Sequence, residues 1–575
     1  MQNSFSSDNR ISEFFLRLLH LRPTNLLRGI HEFFLFKIVT PADVVISIIL
    51  GSISGIGIII AINIGSSIQD DINTTLVVAT VFLLLLYINK TTQTSLLSMC
   101  SAAVELHLEE IRTQIAKDLI SIELETIETL PKNDLISGMT RHYDVVNNGV
   151  IPIVSAIRSA PLALLLFVYT WYVSWVSALI LSLTSVICTI FYISRLNAVR
   201  KSLQLMYHSE NVLIGLIDDL LNGFVEMKYS DKKKNEMSEN ICSNIKKSVQ
   251  SRLNSSNVTI ELITFSSMVN YFYAGCIVFL LPMLSLHDFS DRSKIVALAL
   301  FVIGPIANLI DGVQNFELTR FSYKSIMNFK EKISSLAAIQ NLSCATKANV
   351  NDVINDTFEC IQTRELVFSR KSFDGNISFT VGPINISLQP GKLILIEGGN
   401  GSGKSTFIRL ITGLYKQDAG SIIFNNEFVT QENILSYREH FGVILSDYHV
   451  FKKLYGLTPE NIPILNKHLK DLGIAKCCLK EISDELPVDS LSTGQRKRLA
   501  LAITLTEDKP ILIFDEWAAD QDPHFKKKFY KEILPSLKMA GKAVIIVSHD
   551  DKYFNIADER YHMEDGKLDH IQIKN

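Results

Sequence analysis

None of the eight cysteines belongs to a metal-spaced set, and the adjacent pair Cys477–Cys478 is not a CxxC motif. That excludes a cysteine-ligated metal centre and leaves reduced, structural thiols. No sign of charge dominates: 56 basic and 59 acidic residues give a net charge of -3, so no nucleic-acid partner is expected. Nor is a cleavable leader expected, because Arg17 and His20 interrupt the first apolar run and no small-residue cleavage site follows.

What the chain has in abundance is long apolar runs, all in its first part. A bilayer crossing takes roughly 20 mostly apolar residues. Spans are expected over 44–64, 74–95, 151–173, 174–194, 262–286 and 293–311, within a membrane domain of residues 41–320. Ahead of them, Ile11, Phe14, Phe15, Leu18 and Leu19 recur at helical spacing with Arg10, Glu13 and Arg17 on other faces. Residues 1–40 therefore predict an amphipathic segment, lying on the phospholipid bilayer or packed on protein.

The segments 89–150 and 195–256 are rich in Lys and Arg and include Lys232–Lys233–Lys234, whereas Asp70 and Asp71 lie between the first two spans. The positive-inside rule puts those two basic segments and both termini in the cytoplasm. Ser121–Leu130 and Ile217–Met227 sit near their tips and read as short coupling helices or as ordinary loop helices. Arg158, Asn270, Tyr271 and Tyr273 are polar residues within spans, and Arg158 is expected to snorkel toward the cytoplasm. Gly304–Pro305 predicts a kink in the sixth span.

A polar linker is expected over 321–360, followed by a soluble α/β domain over 361–575. There Lys392–Glu397 (KLILIE) reads as a buried strand that runs into GGNGSGKST, Gly398 to Thr406. Strand, glycine-rich loop and helix in that order make a phosphate-binding loop. Gly398, Gly399, Asn400, Gly401, Ser402, Gly403 and Thr406 supply the backbone cradle, and Lys404 the charge for the β- and γ-phosphates. The Ser405 hydroxyl is expected on Mg²⁺. A second buried strand, Pro510–Phe514, ends in Asp515, a second Mg²⁺ residue, and Glu516, placed as general base for an attacking water. A third, Ala543–Val547, delivers Ser548 and His549, with His549 against the γ-phosphate.

Between the loop and Glu516 stands LSTGQ, Leu491 to Gln495. This five-residue segment resembles the signature of the ABC ATPases. The resemblance implies a multidomain protein: an all-α six-helix transmembrane domain followed by an α/β P-loop ABC nucleotide-binding domain that hydrolyses ATP with Mg²⁺. Ser492, Gly494 and Gln495, opening a helix expected over Gln495–Leu505, would then meet ATP held by a second subunit, with Asp520 along the seam. A homodimer is the simplest assembly, and a heterodimer with a related half its rival.

DEWAADQDPHFKKKFY (Asp515–Tyr530) and SHDDKYF (Ser548–Phe554) narrow the likeness to the cyclic-peptide and siderophore-peptide exporters of Gram-negative bacteria. That resemblance implies a half-transporter of the type IV exporter fold in the bacterial inner membrane, moving a compact peptide. FGVILSDYHVF places Ser446 and Asp447 where most ABC ATPases carry a glutamine, a substitution those exporters share. The position of the adenine-stacking aromatic falls on Arg370, with Phe368 or Phe373 as alternatives. Rival readings are a lipid or hydrophobic-drug exporter, and a non-transporting sensor or scaffold, which the hydrolytic set argues against. A processing exporter is not expected, because the stretch before the first span is too short for a peptidase domain.

Overall fold

The computed structural model describes residues 41–65, 72–283, 289–344, 357–371, 377–481 and 484–571. The segment 1–40 and Phe373 lie outside them. The chain forms two compact units, one of residues 1–120 and 130–334, the other of 121–129 and 335–575.

The first unit is helical: α1 (Pro41–Gly65), α2 (Ile72–Ser121), α4 (Lys132–Met139), α5 (Arg141–Val173), α6 (Trp175–Asn222), α7 (Phe224–Lys228), α8 (Asp231–Met283) and α9 (Phe289–Cys344), with α3 (Leu124–Glu128) assigned to the second unit. Among the described residues six helices are long and apolar enough to cross a membrane. At 50 residues α2 spans about 75 Å at 1.5 Å per residue, far more than a hydrocarbon core of about 30 Å. Leu83, Leu84, Leu164 and Ile190 are exposed on the surfaces of these helices, which suits contact with lipid tails.

One extended residue separates α5 from α6. Ser174 adopts φ -157° and caps α6, its hydroxyl accepting from the Ser177 amide at 3.4 Å. Where α5 and α9 cross, Gly312 lies so close to α5 that a Cβ there would fall 2.1 Å from the Ala156 Cβ. The Arg158 guanidinium donates to Asn89 of α2 and lies beside Gly51 of α1. Arg200 of α6 holds Glu317 of α9 through two bonds, 2.9 and 2.7 Å, which explains how a carboxylate only 5% exposed is tolerated.

The expected linker from residue 321 is in its first part helix, since α9 continues unbroken through Pro305 to Cys344. Ser322, Ile326, Ile333 and Ala337 are buried along it, seven and four residues apart, so an apolar stripe sustains the helix within a polar composition.

The second unit has two sheets. One carries β1 (Ile361–Lys371), β2 (Ile377–Ile384), β3 (Ser387–Leu388), β5 (Ala419–Phe424) and β6 (Glu427–Phe428), all antiparallel. The other has the order β11-β10-β4-β9-β8-β7, formed by β4 (Leu393–Glu397), β7 (Phe441–Ile444), β8 (Ile511–Asp515), β9 (Ala543–Val547), β10 (Glu559–Glu564) and β11 (Lys567–Ile571). Strands β10, β4, β9, β8 and β7 are parallel, and only β11 runs against its neighbour. The runs ILIFD and AVIIV are buried throughout because both faces are covered. Ile394, Ile513 and Ile545 enter one core, while Leu395, Phe514 and Val544 enter the other.

Candidate nucleotide site

Parallel strands place their C-terminal ends on one edge, which is where open α/β sheets hold ligands. The chain leaves β4 into Gly398, β7 through Leu445 into Ser446, β8 into Glu516 and β9 into Ser548. The phosphate loop, Asp515–Glu516, Ser446 and His549 therefore meet at one edge, although they come from segments far apart in sequence.

The loop depends on glycine at specific points. Gly398 has φ 151°, and a Cβ there would sit 2.2 Å from the Met563 carbonyl oxygen. Gly403 has φ 107°, and its Cβ would meet Val381, Met563 and Phe379 at 3.0 to 3.1 Å. Side chains at either position would break the fit. Helix α10 (Lys404–Ile411) starts immediately after, so its first amides point into the loop without intrahelical acceptors.

The Lys404 ammonium bridges the loop, donating to the Gly398 and Gly399 carbonyls at 2.8 Å each. Burial pushes its pKa below the ordinary lysine value, and the Glu516 and Asp515 charges oppose that fall. Ser405 donates its hydroxyl to Asp515 Oδ2 at 2.8 Å. Asp515 is 1% exposed, and burial raises its pKa, with the Ser405 bond and then Ser446 working against the rise. Its other oxygen, Oδ1, is buried with no hydrogen-bond partner. An all-oxygen pair with one buried acceptor left over fits a hard cation such as Mg²⁺ or its water shell.

Glu516 takes a left-handed backbone, φ 51°, and its carboxylate lies 3.2 Å from His549 Nε2. The Glu516 amide donates to the Val547 carbonyl at 3.1 Å, tying the end of β8 to β9. Asp447, next to Ser446, binds Arg409 of α10 at 2.7 Å.

The signature segment lies apart from this cluster. Helix α11 (Thr493–Thr506) begins two residues earlier than expected, because Ser492 and Gln495 close a reciprocal capping box with both bonds at 3.3 Å. Gln495 is thus engaged with its own helix end. Gln521 donates to the Gly494 carbonyl at 3.0 Å, and Asp520 pairs with Lys497 at 2.8 Å. Among the described residues no hydrogen bond joins Ser492, Gly494 or Gln495 to Gly398–Thr406.

At the expected adenine end, Phe368 is 3% exposed and stacks on Tyr415, so its ring belongs to the core. Arg370 is exposed and lies 3.8 Å from Glu128 of α3. A ring placed against the loop is that of Phe379 on β2, the register partner of Arg370 on β1, which the sequence reading did not single out. Also unforeseen were Lys497 and the polar contacts of α3, a helix that falls within the expected segment Ser121–Leu130: Glu128 accepts from the Tyr415 hydroxyl at 2.8 Å and lies 3.6 Å from Arg409. Leu124 of the same short helix packs on the core that Phe407 and Tyr415 share.

The family described as ABC transporter matches residues 381–519. The ATP-binding protein SyrD of Pseudomonas syringae pv. syringae is 34% identical over 295 residues, 51% of this chain and 52% of that protein. The chain thus spans about half the length of SyrD, and a smaller share of a putative ABC transporter ATP-binding protein of Photobacterium profundum, 33%. The energy-coupling factor transporter ATP-binding protein EcfA1 of Mycoplasma genitalium is 32% identical, covering 35% of this chain and 76% of that relative. A bacterial Atm1-family ABC exporter solved with ATP bound shares the fold, with a TM-score of 0.68 at 16% identity over 92% of this chain and 94% of that one. Phosphate loop, acidic strand end and signature helix all fall within the matched residues 381–519: the chain belongs to the ABC transporter ATP-binding family, and its second unit is an ATPase.

Proposed function

We propose that the chain is one half of an ATP-driven exporter that moves a cyclic or otherwise compact peptide, siderophore peptides included, across the bacterial inner membrane. The observation that carries this reading is the convergence of Lys404, Ser405–Asp515 and Glu516–His549 at one sheet edge of a chain that also holds six span-capable helices. The loop amides and Lys404 bind the phosphates, and Ser405 with Asp515 would hold Mg²⁺, whose charge offsets that of the phosphate oxygens. Glu516 takes the proton of the attacking water, with His549 fixing its carboxylate.

Among the described residues the signature segment does not bond its own phosphate loop, which supports assembly as a dimer in which Ser492 and Gly494 complete the partner's site. Closure on ATP would then drive alternating access. Swinging such an equilibrium from 1:99 to 99:1 takes about 5.5 kcal/mol of differential binding. Both termini and the ATPase unit would lie in the cytoplasm.

A second reading is favoured by one feature of the helical unit. A cavity of about 280 Å³ between α6, α8 and α9 is lined by Phe191, Tyr192, Leu262, Phe265 and Leu309 among others, with no charged side chain. Such a lining also suits a lipid or hydrophobic drug. ATPase rates of the reconstituted protein separate the two: stimulation by cyclic peptides supports the first, and stimulation by lipids or drugs alone supports the second.

A further inference from the structure

We infer that Lys497 is a positioning residue for hydrolysis, its buried ammonium clasping the main chain of Glu516 to the signature helix. The inference rests on the reading of Glu516 as general base. Lys497 lies on α11 and is 4% exposed. Its Nζ donates to the Glu516 carbonyl at 2.9 Å and to Asp520 Oδ2 at 2.8 Å. In the reverse direction, the Trp517 indole N–H donates to the Lys497 carbonyl at 2.9 Å. Two adjacent residues at the end of β8 are therefore bonded to one residue of α11, once through its side chain and once through its backbone.

The geometry gives that clasp a purpose. A glutamate at φ 51° occupies a sparsely populated region and stays there only if its surroundings hold it. Its N–H is fixed by β9 through Val547, and its C=O is fixed by Lys497. With both flanking peptides pinned, the side chain is aimed toward His549. A buried ammonium is expensive, and here it is offset by two oxygen acceptors rather than spent on an ordinary core contact.

The same bonds join the base to the helix whose N-terminus carries Ser492 and Gly494. A shift of α11 pulls on the Glu516 carbonyl, so the base is in place only when the signature helix is seated. Displacement of a reacting group by about 1 Å can cost two orders of magnitude in rate.

The test uses the full-length protein in lipid vesicles with Trp171→Phe and Trp175→Phe, leaving Trp517 as the single tryptophan. Lys497→Met should lower kcat at least about tenfold with KM for ATP within about twofold, and should shift Trp517 emission. Lys497→Arg, which keeps a donor and a positive charge, should recover most of kcat and the wild-type emission. Asp520→Asn leaves the bond to the Glu516 carbonyl in place and should lose less than Lys497→Met. A Met variant with wild-type kcat, or losses shared by kcat and KM that Arg does not repair, would overturn the inference. If Glu516→Gln hydrolyses ATP at the wild-type rate, the general-base reading fails instead. In that case an unchanged Trp517 emission in Lys497→Met still overturns the clasp, and a shift restored by Arg supports it.

Discussion

The Tyr415 hydroxyl donates to Glu128 at 2.8 Å, joining residues 287 positions apart in sequence. Glu128 ends a five-residue helix that lies in sequence between two span-capable helices yet is part of the ATPase unit. Arg409 stands 3.6 Å from Glu128 and 2.7 Å from Asp447. Asp447 follows Ser446, which lies beside the Asp515 carboxylate. A chain of polar contacts thus leads from α3 to the strand end expected to hold Mg²⁺, along a path where this sequence has no glutamine.

If that path carries signal, weakening it should separate hydrolysis from its stimulation. Tyr415→Phe removes two hydrogen bonds of one hydroxyl, the one donated to Glu128 and the one accepted from Arg409 at 3.2 Å, each to a charged group and worth about 2 kcal/mol. Glu128→Gln removes the charge facing Arg409 and Arg370. Both variants should hydrolyse ATP near the basal rate while losing most of the stimulation by substrate. Equal stimulation in wild type and both variants would show that the path is structural.

Nucleotide affinity should weaken with alkali sooner than an ordinary lysine would allow. Burial lowers the Lys404 pKa below 10.5. The protonated form binds phosphate, so affinity is retained below the lowered pKa and lost as pH rises through it. ATP restores the proton, and binding in that window should take up protons. Calorimetry in buffers of different ionisation enthalpy measures this directly; no uptake at any alkaline pH would contradict it.

Assembly in trans makes a further prediction. Ser492→Arg and Lys404→Ala should each abolish hydrolysis as pure dimers. Mixed, they should recover a fraction of wild-type activity, because a dimer of one of each retains one site with an intact loop facing an intact signature. Vesicles reconstituted with both and still inactive would count against a trans site.

Much of the site was legible because strands buried on both faces leave continuous apolar runs. KLILIE, ILIFD and AVIIV mark the three central strands, and parallel order brings their ends together. The helical stretch 321–344 was hidden by its polar composition, though Ser322, Ile326, Ile333 and Ala337 keep helical spacing. Contacts such as Glu128–Tyr415 and Lys497–Glu516 carry no local signal. They arise from chain segments that only the fold brings together, and a lysine in a polar helix start reads from sequence as a solvated charge. Phe368 misled for the opposite reason, since an aromatic beside a strand end serves the core as readily as a nucleotide.

The central claim is that ATP hydrolysis at this site drives a compact peptide outward. Inside-out vesicles carrying the wild-type protein should accumulate a labelled cyclic peptide when ATP is added, and vesicles carrying Glu516→Gln should not. ATP-dependent accumulation of a lipid or drug without any of peptide would contradict the account, as would peptide uptake of equal rate in the Glu516→Gln vesicles.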